Sequence, residues 1–140
     1  MSEAKQDKPF KIQGIELITF SIQPQPAKED LKDVFEFNIR QENKTNADKR
    51  LIIIFTSVTI KESGKEMELA NLEVACGFEI YSFESVIKRD KEGDYIIPHV
   101  LNIAISRISV AISRGILHSQ LRGSYLQDLT LPLLPTEYQY

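Results

Sequence analysis

Few residues in this 140-residue chain have the type and spacing that chemistry requires. Nucleophilic catalysis needs a thiol or hydroxyl beside a base. The single cysteine, Cys76, falls inside "LEVACGFEI", where alternate residues are apolar, so its side chain shares a face with Val74 and Phe78. An apolar setting disfavours the thiolate and leaves such a cysteine inert. The only histidines, His99 and His118, stand at the two ends of one helical pattern. The helical rise puts them about 28 Å apart, too far to share a metal ion within one chain. The carboxylates are scattered through turns, no pair has a spacing that selects a reaction, and no Gly-rich phosphate loop, CxxC or HExxH occurs. No catalytic residue, metal ligand or cofactor is expected. Arg107, Arg114 and Arg122 offer a ridge for phosphate, but the net charge is -3, and nucleic-acid binders of this size usually carry a basic excess. Ion pairing with acidic neighbours, some of them across an oligomer interface, is the plainer role for these arginines.

Any site must be held by elements legible in the hydropathy pattern. A chain of this length, 42% hydrophobic and 26% charged, fits one soluble globular domain. One cysteine excludes an internal disulfide. The polar start "MSEAKQDKPFK" lacks the apolar centre of a secretory leader, and no run approaches the length of a membrane span. A cytoplasmic protein of a reducing compartment is expected.

Residues 1–9 read as a disordered tail and 10–140 as a single domain. "FKIQGIELITFSIQ" has strand composition, with Ile18, Phe20 and Ile22 on one face by alternation, and ends at "PQP". "DVFEFNI" places Phe35, Phe37 and Ile39 opposite Glu36 and Asn38, before a polar turn cluster, "ENKTNADK". "RLIIIFTSVTIKE" starts apolar on both faces, the mark of a strand inside a sheet. In the next strand Leu72, Val74, Cys76, Phe78 and Ile80 oppose Glu73, Ala75, Gly77, Glu79 and Tyr81. "FESVIKRDKEGD" suggests a short helical turn and then a charged loop. Pro98 opens a long helix, since proline is tolerated in a first turn. The expected fold is α+β: a four-stranded antiparallel sheet followed by a long C-terminal helix packed on one face.

Stepping 100° per residue, Val100, Leu101, Ala104, Ile105, Ile108, Ala111, Ile112, Gly115 and Ile116 form one broad apolar arc. Asn102, Ser106, Ser109 and Ser113 form a narrow polar stripe. A helix apolar over so wide an arc is buried on more than one side. Its own sheet is one cover, and a second protein surface is expected to be the other. A sheet with a single helix over it also has trouble hiding Phe20, Phe35, Phe37, Phe78 and Phe83 together, and an excess would mark an interaction surface.

These segments, in this order, resemble the SecB-like protein-export chaperones. "FKIQGIELITFSIQPQP" resembles that family's first strand and proline-bearing crossover loop, with Phe10, Ile12, Gln13, Ile15 and Ser21 in matching places. "VFEF" resembles the start of the second strand, and "VTIKESGKEMELANLEVACGFEI" the third-strand end, turn and fourth strand, with Gly77 and Phe78 as the Gly-Phe pair. The segment from Pro98 to Tyr138 resembles the long helix with an Arg-Gly near its end, followed by a Leu-Pro segment at Leu131, Pro132 and Pro135. The resemblance implies a homo-dimer, often a dimer of dimers, that holds unfolded or non-native polypeptides without ATP and without enzymatic activity, in the bacterial cytosol. Clients would lie in an apolar groove, here Ile22, Val34, Phe35 and Phe37. Acidic groups on the sheet face dock the translocation motor in the export chaperones; Glu73 fits one such position, whereas Thr19 and Gln23 stand at the other two. With one acid of three, export is the less supported pathway. The alternative is a SecB-like adaptor dedicated to one protein partner, as in a toxin–antitoxin system. An enzyme would instead require Cys76 or a histidine exposed in a cleft.

Two histidines leave little to titrate near neutrality. The association state is therefore expected to be the same from about pH 6 to pH 8. Sedimentation velocity across that range checks it, and a dimer–tetramer transition would place His99 or His118 at an interface.

Overall fold

The computed structural model describes residues 9–26, 34–129 and 131. Four long strands, β1 (Phe10–Ile22), β2 (Phe35–Asn46), β3 (Leu51–Glu62) and β4 (Glu68–Ile80), form one antiparallel sheet in the order β1-β4-β3-β2. A one-turn helix, α1 (Phe83–Val86), and a two-stranded hairpin, β5 (Lys88–Arg89) and β6 (Tyr95–Ile96), lead into α2 (His99–Leu121). The α+β architecture is the expected one. Three expectations lie outside the described residues: most of the disordered tail 1–9, part of the crossover after Pro26, and the prolines at 132 and 135.

The register stacks side chains into rows that cross all four strands. On the side facing α2, Phe20, Leu72, Val58 and Ile39 make one row, and Ile22, Ala70, Ile60 and Phe37 the next. The β4 residues assigned to the covered face, Leu72, Val74, Cys76, Phe78 and Ile80, are all buried. Phe10 on the edge strand meets Phe78 edge-on, with ring centroids 5.7 Å apart. β3 does lie inside the sheet, between β4 and β2.

The structure corrects four expectations. First, strict alternation does not hold in β1, where register shifts fall between Ile12 and Gly14 and between Leu17 and Thr19. Each inserts an extra residue, so Ile18 is a bulge residue rather than the face-mate of Phe20 and Ile22. Second, "ENKTNADK" is not all turn, because β2 runs on to Asn46 and only residues 47–50 turn. Third, the charged loop after α1 is a hairpin. Asp90 closes it, its carboxylate accepting the backbone N–H groups of Glu92 and Asp94 at 2.9 Å, and Gly93 supplies the positive φ of +88°. Tyr95 in β6 packs edge-on against Phe83, with Arg89 over its ring and hydrogen-bonded to its hydroxyl.

The fourth correction concerns α2. The sheet-facing side is centred on the serine stripe, not on the apolar arc. Its buried residues are Leu101, Ile105, Ser106, Ser109, Val110, Ser113, Leu117 and Leu121. Val100, Ala111 and Gly115 of the apolar arc are exposed. Two of the buried hydroxyls are hydrogen-bonded within the helix. Ser109 donates to the Ile105 carbonyl and Ser113 to the Ser109 carbonyl, each at 2.8 Å. By length and composition α2 also passes as a membrane span, although one side of it lies against the sheet. Pro98 stands at the N-cap, one residue before the helix.

Small side chains let α2 come close to the middle of the sheet, over β3 and β4. Gln41 of β2 then fastens it, donating from Nε2 to Thr56 Oγ1 and to the Ser106 carbonyl, both at 3.0 Å. Replacing Ser109 with leucine would force the two layers apart, an overpacking expected to lower the unfolding free energy by about 1–3 kcal/mol. Ala111→Leu on the exposed side should change it by no more than about 0.5 kcal/mol. Urea titration of both variants checks the pair, and equal losses would mean that the helix is not seated through its serines.

Candidate functional site

The candidate groove residues sit at one end of the sheet; Ile22, Phe35 and Phe37 are on the side of α2, and Val34, one residue before Phe35, alternates to the other side. Ile22 closes β1, and Phe35 and Phe37 open β2, so they approach the same end from opposite edges. Ile22 and Phe37 share a row, separated by the buried Ala70 and Ile60, which is three strand spacings or about 14 Å. They do not touch; they mark the two ends of an apolar floor. Phe35 stands opposite the buried Glu62, which pairs with Lys65 at 3.4 Å. Ile22, Phe35 and Phe37 are half-buried and pack against the core. Val34, just before β2, is 61% exposed, and its carbonyl accepts the Ser63 N–H.

The chain following α2 returns to this end. Leu126 and Leu131 are buried in the same core, and the Tyr125 hydroxyl donates to the Gln23 carbonyl at 3.0 Å. Burial raises the Tyr125 pKa, which keeps the hydroxyl protonated as that donor. Gln23 in turn donates its own N–H to the Leu69 carbonyl. The end of β1, the start of β4 and the post-helix segment are thereby tied together.

Glu73 lies on the opposite face of the sheet, in a row that reads Thr19, Glu73, Ser57, Arg40. Thr19 is thus its direct neighbour. Cys76 faces α2 and is fully buried. Burial pushes its thiol above the ordinary range, and a hydrogen bond with Ser109 offsets this only in part. His99 and His118 are both exposed, at the first turn and the last turn of α2. Neither histidine nor Cys76 is held in a cleft among the described residues. Spacing along the chain missed one carboxylate group: Asp90, Glu92 and Asp94 converge, all exposed, on the hairpin turn that Asp90 itself caps.

A larger feature was also missed. Ile12, Ile15 and Leu17 of β1 pair with Phe78, Cys76 and Val74, so they point to the side of α2, yet they are 44%, 50% and 39% exposed. Ile18, the bulge residue, is 44% exposed. The signal was in the sequence. The apolar residues that pair on this side are Phe10, Ile12, Ile15, Leu17, Phe20 and Ile22, three alternating couples each separated by one extra position. Two interruptions of period two in a strand are the mark of two bulges. Together these residues make an uncovered apolar strip along a strand with one free edge.

No family model and no curated protein matches the chain. Among solved structures, a SecB-like chaperone of Mycobacterium tuberculosis, in complex with a ChAD peptide from the HigA1 antitoxin, has the same fold. It is 16% identical, with a TM-score of 0.58 over 94% of this chain and 92% of that one. The likeness establishes a SecB-like fold for this chain, as its motifs implied.

A buried thiol of raised pKa has little thiolate at pH 8 and no path to reagent. Native Cys76 is expected to resist Ellman's reagent for hours and to react within minutes in denaturant. Rapid labelling of the native protein would place the thiol in an accessible cleft and reopen a catalytic role.

Proposed function

We propose that this chain is an ATP-independent holdase of the bacterial cytoplasm, built as a homo-oligomer and binding non-native polypeptides. The observation that carries the reading is the apolar strip left uncovered on the helix side of β1, with the half-buried Phe35 and Phe37 at the start of β2. Such surface binds many sequences, because burial of apolar groups is non-directional. The two edges suit different occupants. β1 presents Ile12, Ile15, Leu17 and Ile18 along a free strand edge, a self-complementary patch that fits the same strand of a second copy across a two-fold axis. β2 is guarded by the outward-facing Glu36, Arg40, Glu42 and Lys44, and its large apolar groups gather at the Val34–Phe37 end. That end, with Ile22 across the floor, is the proposed client groove.

A second reading is an adaptor of the same fold that serves one protein partner. It is supported by the antitoxin peptide bound to the solved structural neighbour. Docking of a translocation motor has less support, because Glu73 is the one acid of the three compared positions.

Light scattering of an unfolded model protein diluted with stoichiometric amounts of this chain tests the holdase reading, with suppression expected in the absence of ATP. A folded, oligomeric sample that suppresses nothing would overturn it in favour of the adaptor. Val34→Asp, at the rim where β2 starts, should keep its unfolding free energy within about 0.5 kcal/mol of the parent while suppression weakens, and unchanged suppression would remove Val34 from the client site. Phe37→Ala does not separate the two effects, because Phe37 also packs on the core.

The β1 assignment has its own test. Ile15→Asp would bury a charge in the two-fold contact while remaining solvated in the free chain, so sedimentation should show the oligomer reduced to monomers that retain native circular dichroism. An unchanged sedimentation coefficient would rule out β1 as the contact.

A further inference from the structure

We draw no further inference here: the strongest candidate, the shallow depression on the outer face of the sheet lined by Gly14, Glu16, Leu51, Ile53, Ala75 and Gly77, is an apolar face with nothing in the structure to show what covers it.

Discussion

An α-helix with its side chains is about 10–12 Å across, whereas four strands place the outer two roughly 14 Å apart. One helix cannot roof the whole face of such a sheet. In this chain α2 lies over β3 and β4, and the consequences follow strand by strand. Side chains pointing at the helix from β3 and β4 are buried: Ile52, Ile54, Val58 and Ile60 on one, Leu72 to Ile80 on the other. Side chains in the same rows on β1 and β2 are not. Ile15 shares a row with the fully buried Cys76, and differs from it in burial only because it stands on the edge strand.

The position of that roof depends on three small side chains. Ser106, Ser109 and Ser113 take the place that leucines would fill in an ordinary amphipathic helix, and they allow the backbone of α2 to approach the sheet. Burying hydroxyls costs free energy unless they are hydrogen-bonded. Ser109 and Ser113 meet that condition within the helix, by bonding to the carbonyl four residues earlier. The same turn of helix gives Gln41 a carbonyl to hold, which links β2 to α2. Once the serines face the sheet, the wide apolar arc of α2 is only partly covered: Leu101 and Ile105 stay buried, while Val100, Ala111 and Gly115 face outward. A polar stripe goes inward beside apolar residues, and one flank of the apolar arc goes outward, a departure from a simple amphipathic rule.

Both edges of the sheet are thereby left with apolar side chains, but of different character. On β1 they run along most of the strand, two bulges keeping Ile12, Ile15 and Leu17 on the side of the helix. A long free edge of this kind is an aggregation hazard unless something covers it. On β2 the exposed surface alternates with charge, and the apolar groups are confined to one end, where the segment after α2 also folds back. The chemistry-bearing residues play no part in either. Cys76 is sealed beneath Ser109, and the histidines stand in solvent at the two ends of α2.

Local pattern was enough to determine the four strands, the one-sided burial of β4, the interior position of β3 and the start of α2 after Pro98. Each is written in residues two, three or four apart, and such short periods are set by backbone geometry alone. The burial of Cys76 and the separation of the histidines followed from the same periods. The candidate groove residues Ile22, Val34, Phe35 and Phe37 came from the resemblance to the SecB-like chaperones and not from any local period, and their place was not legible in the sequence. Ile22 and Phe37 share a row only because β4 and β3 insert between their strands, and strand order is not encoded in any local period. Likewise, Ile12 and Ile54 look alike in sequence, yet one is exposed and the other buried. What separates them is distance from a single helix of limited width, and that is set by tertiary packing.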